Sequence, residues 1–200
     1  MLYRVPGDEE IFAQGVGDYI GLNVYCREYA TDWRGGETQV SANNKGGSSK
    51  KLEGKVIAPL YQTACDPDVP RNKWGREILP RVMYSTIMDI VDRYDNPLMF
   101  ITENGHGAYE DPDAEGVVHD DERIEVLGQF VEHMMRARAE GANVHGYYVW
   151  STMDLYSWIN GYQKRYGLVR IDFDNNLARV PKKSWYWYRD LINGYLNQSE

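Results

Sequence analysis

The stretch Leu98-Met99-Phe100-Ile101-Thr102-Glu103-Asn104-Gly105 decides the fold. Its four leading apolar residues are too few for a helix and suit a fully buried strand, which then runs straight into a carboxylate. Upstream, Val82, Ile87, Ile90, Val91 and Tyr94 follow Pro80 at helical spacing, and Asp95-Asn96-Pro97 stops that helix. Earlier still, residues 18–25 form a short apolar, β-branched run bounded by Gly17, a second buried strand. Downstream, Asp120-Asp121 offers caps for a helix carrying Ile124, Leu127, Phe130, Val131 and Met134, and Gly141 closes it. A third buried strand then covers 144–150. Strand, helix, strand, helix, strand predicts an α/β fold of parallel βαβ units, in which ligands meet the carboxyl ends of the strands. Asn23 and Tyr25, Glu103, and Trp150 fall at three such ends.

Outside this frame, residues 34–54 are rich in Gly, Ser, Asn and Lys without apolar periodicity and read as a long exposed loop. Residues 166–180 read as a hairpin turning at Asp174-Asn175-Asn176, and Ser184 as the cap of a terminal helix through Leu191. There is no internal repeat, and residues 1–200 read as a single unit with ample hydrophobic content, 42%, for a core.

Lys and Arg total 22 against 30 Asp and Glu, a net charge of −8, which argues against nucleic acid or anionic membrane as partner. An anionic ligand must then be caught by a local trap. Six Trp and sixteen Tyr against four Phe favour wet, specific surfaces of the kind that bind carbohydrate. With two cysteines and four scattered histidines there is no paired ligand spacing, so neither metal nor cofactor is expected. No apolar run approaches the roughly 20 residues of a membrane helix and no basic-then-apolar leader opens the chain, so a cytoplasmic location is expected.

At Glu103 the residues carry a resemblance. Phe100-Ile101-Thr102-Glu103-Asn104-Gly105, then Val149-Trp150-Ser151, then residues 157–167 with Gly161-Tyr162-Gln163-Lys164-Arg165-Tyr166-Gly167, together resemble the C-terminal part of glycoside hydrolase family 1. The resemblance implies about strands 6 to 8 of a (β/α)8 TIM barrel. It implies a retaining glycosidase with Glu103 as nucleophile, a role that needs an ionised carboxylate held about 5 Å from a second, protonatable carboxyl. Tyr25 matches the family tyrosine that hydrogen-bonds the nucleophile and keeps it oriented and ionised. Asn23 is the neighbouring polar group, and Trp150 matches the aromatic platform beneath the sugar, whose apolar C–H face stacks on indole. Trp74 resembles a residue flanking the aglycone side.

Family members acting on plain glucosides carry Glu-Trp where this chain has Ser157-Trp158. Ser157, Lys164 and Tyr166 at this spacing resemble the 6-phospho-β-glycosidase branch, two hydroxyls and an ammonium being apt for a phosphate dianion. Trp158 resembles the aromatic residue of enzymes that accept the axial O4 of 6-phosphogalactose. The implied ligand is a phosphorylated disaccharide or aryl β-glycoside.

The family's acid/base glutamate lies in an Asn-Glu-Pro motif, and this sequence contains none. Asp154, Glu28 and Glu77 have no motif-level claim to the role. A (β/α)8 barrel takes about 250 residues, so the chain reads as the last two-fifths of one. Its partner is then its own missing N-terminal half or, with two open sheet edges, another copy in a homo-oligomer. Two readings stay open: part of a 6-phospho-β-glycosidase, or a non-catalytic sugar-phosphate-binding or assembly module, with an unphosphorylated β-glucosidase as the variant of the first.

Overall fold

The computed structural model describes residues 5–15, 17–39, 55–64, 66–72, 75–108, 110–157 and 161–196. Trp74, Trp158 and residues 40–54 of the expected loop lie outside them. In chain order the elements are α1 (Asp8–Gln14), β1 (Ile20–Asn23), β2 (Tyr29–Asp32), β3 (Val56–Ile57), β4 (Tyr61–Ala64), α2 (Val82–Tyr94), β5 (Met99–Asn104), α3 (Asp121–Ala139), β6 (Val144–Val149), β7 (Val169–Asp172), β8 (Ala178–Pro181) and α4 (Lys183–Leu196).

The central sheet has the order β1-β5-β6, parallel throughout, as the alternation of buried strands and helices predicts. Ile20 pairs with Met99, Leu22 with Ile101 and Asn23 with Glu103, while Met99 pairs with Val144 on the other side. The parity of β5 puts Met99 and Ile101 inward, both fully buried. They meet Met83 and Ile87 of α2 and Val126, Phe130, Met134 and Ala137 of α3 in one cluster. Burial of each large side chain contributes roughly 1.5–3 kcal/mol. Among the described residues the outer edges of β1 and β6 pair with no strand.

Helix α2 covers the expected span and ends at Asp95, which takes the left-handed conformation with φ 55°. Asn96 then clips the two crossovers together, donating from its amide to Gly141 O and accepting from Asn143 N. Helix α3 closes at Gly141, with φ 103°, where the sequence places its end. The hairpin is β7 with β8, turning through Asp174-Asn175-Asn176.

Several local expectations need correction. The first strand is shorter than 18–25, and Tyr25 lies beyond its end. Asp120 begins α3 but makes no side-chain cap to it; its carboxylate is drawn away to Arg123 and to the backbone N–H and hydroxyl of Ser184. Ser184 is therefore inside α4, its hydroxyl donating to Asp120, with Asp120 serving the start of α4 from another helix. The segment after β1 forms an antiparallel sheet, β2-β4-β3, to which Gln39 adds a bridge with Val56. Its strands are short and partly exposed, so neither run length nor alternation marks them.

Candidate active site

The parallel ladder delivers Tyr25 to Glu103. Val24 N–H donates to Glu103 O at 2.9 Å, extending the β1–β5 pairing by one step, and the Tyr25 hydroxyl donates to Glu103 Oε2 at 2.9 Å. Burial pushes the Tyr25 phenol up, and the hydrogen bond to Glu103 raises it further, so it stays a donor at neutral pH. Asn104, next along β5 and fully buried, bolts the three strand tips together. Its amide donates to Val24 O at 2.7 Å, and its oxygen accepts from Tyr147 of β6 at 2.5 Å.

Trp150 follows β6, its N–H donating to Asn104 O at 2.7 Å, and is 36% exposed. Gly105 makes this approach possible, because a Cβ there would stand 2.0 Å from Trp150 O. Asn23 sits at the same end of the sheet, but its oxygen accepts from the Thr102 hydroxyl at 2.7 Å, so its direct hold is on the residue before Glu103.

The excursion between β6 and β7 is tied to both strand tips. Ser151 N–H donates to Tyr166 O, Leu168 N–H to Ser151 O, and Ala108 and Arg165 exchange both backbone bonds at 3.0 Å. The Tyr166 ring lies on Gly107, where a Cβ would come within 2.7 Å of Cζ. Burial raises the Tyr166 phenol, and Arg76 opposes the rise. Ser157 exchanges backbone bonds with Gly161, closing a turn whose tip, including Trp158, is outside the described residues. Lys164 is half-buried, and its ammonium is pushed down to about 8, first by burial and then by the Arg76 charge.

Beneath this excursion lies a buried ionic network that sequence reasoning missed. Asp154 accepts from Arg165 and Ile171 N–H through one oxygen and from Gly167 N–H and Lys182 Nζ through the other. It thus holds both neighbours of Tyr166. Lys182 also binds Glu110, which pairs with Arg123, which pairs with Asp120. Burial lowers the Lys182 ammonium and raises the Glu110 carboxyl, each offset by the opposite charges around it.

Tyr25 and Tyr166 line one small cleft with Arg76, Gly105, His106 and Gly107. A larger hollow of about 570 Å³ lies away from these residues, between α3, β6 and α4, lined by Val131, Met134, Val144, Tyr147, Leu191 and Ile192 among others. The strand tips thus gather an oriented carboxylate and a partly exposed indole, and the excursion between β6 and β7 carries hydroxyl and ammonium groups. Among the described residues no group of three or more His, Cys, Asp or Glu could hold a metal ion.

The profile of glycosyl hydrolase family 1 matches residues 3–195. The chain belongs to glycosyl hydrolase family 1. It is 42% identical over 185 residues to a 6-phospho-β-galactosidase of Staphylococcus epidermidis, covering 90% of this chain and 38% of that one. It is 43% identical over the same shares to a 6-phospho-β-galactosidase of Staphylococcus aureus. The family 1 β-glucosidase of Thermotoga maritima superimposes with a TM-score of 0.76 at 28% identity, over 93% of this chain and 37% of that one. The same enzyme with azafagomine bound also gives 0.76. The chain thus spans under two-fifths of the length of these family 1 relatives. Its three parallel strands are part of the family's TIM barrel. Among the described residues no helix is long and apolar enough to cross a membrane.

Proposed function

We propose that this chain carries the nucleophile and the sugar-phosphate side of a retaining β-glycosidase that acts on 6-phospho-β-galactosides. The observation that carries the reading is the Tyr25–Glu103 hydrogen bond at the tip of β5, beside the pinned excursion bearing Ser157, Lys164 and Tyr166. The 42–43% identity to proteins named 6-phospho-β-galactosidase supports the substrate class. In this mechanism a Glu103 oxygen attacks the anomeric carbon while the glycosidic C–O bond breaks and the leaving oxygen takes a proton from a carboxylic acid. The resulting glycosyl ester is hydrolysed by water, which gives a proton back to the same carboxyl and releases Glu103 ionised. Tyr25 holds the carboxylate in line and Trp150 stacks under the pyranose. Lys164, with Ser157 and Tyr166, receives the phosphate at C6, and Asn23 lines the same end of the sheet. The acid/base carboxyl comes from barrel strands supplied by another segment, since no Asn-Glu-Pro occurs in these 200 residues.

Hydrolysis of a chromogenic 6-phospho-β-galactoside tests this. The chain combined with a family 1 N-terminal portion bearing Asn-Glu-Pro turns the substrate over, and Glu103→Gln abolishes that turnover. Undiminished turnover by Glu103→Gln would sink the assignment of the nucleophile, and equal rates on the unphosphorylated galactoside would remove the phosphate from the substrate class.

A further inference from the structure

Arg76 occupies a hairpin built to aim it. Asn72 Oδ1 accepts from Arg76 N–H at 3.1 Å, Asn72 N–H donates to Arg76 O at 3.0 Å, and Arg71 and Glu77 form a β-bridge across the turn. Gly75 takes φ 76°, the left-handed conformation that the tight reversal requires. Glu77 anchors the base of the hairpin. Its side chain is 7% exposed, pairs with Arg27 at 3.2 Å and accepts from Asp66 N–H at 3.0 Å. Arg76 itself is exposed, yet its guanidinium stands 5.4 Å over the Tyr25 ring and lines the cleft that Tyr25 shares with Tyr166.

A cation over the ring that holds Glu103, and within electrostatic reach of a second, half-buried cation, is an arrangement that folding alone disfavours. Arg76 and Lys164 repel one another, and that repulsion contributes to the depressed ammonium of Lys164. A dianion bound between them reverses the sign of the interaction, because each positive charge then stabilises the ligand and screens the other. The guanidinium also offers paired N–H donors matched to two oxygens of one phosphate, whereas Lys164 is a point charge.

We propose that Arg76 is a second cation of the anion trap, a specificity-determining residue that makes the cleft prefer phosphorylated over neutral sugars. The inference rests on the reading of Lys164 as the sugar-phosphate cation. The hairpin also explains how a chain of net charge −8 concentrates positive charge at one end of a strand sheet.

Calorimetric titration of the 200-residue chain with galactose 6-phosphate and with galactose tests it. The wild-type chain binds the phosphorylated sugar more tightly than galactose. Arg76→Ala weakens galactose 6-phosphate binding roughly tenfold, the scale of one charge-assisted contact, and leaves galactose unchanged. Arg76→Lys restores part of the loss. Because Arg76 is exposed and its side chain fills no core, the Ala variant folds, which circular dichroism checks. A second readout separates contact from packing: the Lys164 titration, followed by lysine-selective NMR, moves up from about 8 in Arg76→Ala. Unchanged galactose 6-phosphate affinity in Arg76→Ala, with a loss in Lys164→Ala, would overturn the role of Arg76 and leave the phosphate reading standing. Equal affinity of the wild-type chain for both sugars, or binding of neither, would overturn both.

Discussion

Tyr25 and Glu103 are 78 residues apart in the chain and are joined by one hydrogen bond of 2.9 Å, the phenol donating to the carboxylate. The bond exists because β1 and β5 are parallel neighbours and Val24 continues their ladder one residue past the end of β1. Tyr25→Phe removes the donor and keeps the ring. A hydrogen bond to a charged group contributes about 1.5–3 kcal/mol, so turnover of the combined enzyme should fall about 10- to 100-fold. Steady-state rates check this, with a wild-type-like circular dichroism spectrum showing that the variant folds; a rate within twofold of wild type refutes it.

Lys164 sets a pH dependence. With its ammonium at about 8 against an ordinary 10.5, the folded chain releases this proton before the unfolded chain does. Between those two values the unfolded state binds more protons, so this group's contribution to stability rises with pH. Affinity for a sugar phosphate runs the other way and weakens as pH passes about 8, because the cation is lost. Titrating galactose 6-phosphate against the chain from neutral to alkaline pH should show the decline in wild type and not in Lys164→Ala. A flat wild-type profile would contradict it.

The frame of the fold was legible because buried parallel strands and amphipathic helices leave clear patterns: Met99 to Ile101 of the apolar run became the start of β5, and the helical spacing after Pro80 became α2, Val82–Tyr94. The tips were legible only through motif, since Thr102-Glu103-Asn104-Gly105 and Lys164-Arg165-Tyr166-Gly167 have no periodicity of their own. What stayed hidden depends on contacts distant in sequence. Nothing local says that Asp120 will serve Ser184 instead of its own helix, or that Asp154 will gather Arg165, Gly167 and Lys182. Arg76 was equally silent, because a single arginine in a polar loop reads as solvated until the hairpin places it over Tyr25. The β2-β4-β3 sheet was missed for a different reason: half-exposed strands of two to four residues carry too little alternation to register.

Asp154 should be the most costly of the buried charges to remove. Its side chain is 1% exposed and its loss leaves Lys182, fully buried, with Glu110 as its remaining acid, and unpins both neighbours of Tyr166. Breaking a buried pair by deleting one partner costs about 3–5 kcal/mol. Asp154→Ala should therefore lower the urea-unfolding free energy by about that amount, against less than about 1 kcal/mol for Asp89→Ala, whose pairing with Arg93 is exposed. Similar losses for the two variants would deny the network its structural role.

Gly105 gives the last test, because it separates close approach from conformational freedom. A methyl there would meet Trp150 O at 2.0 Å and the carbonyl carbon at 3.1 Å, backbone atoms that no rotamer change moves aside. Gly105→Ala must therefore push the end of β6 away from β5 and stretch the bond from Trp150 N–H to Asn104 O. A forced shift of this kind in a packed site costs about 1–3 kcal/mol. Gly128→Ala is the control, since it lies in α3 with only the Trp187 ring nearby at 3.8 Å, ordinary contact, and gains helix propensity of up to about 1 kcal/mol. Unfolding curves should move in opposite directions for the two substitutions. Movement in the same direction would mean that the tips of β5 and β6 are looser than the glycine between them requires.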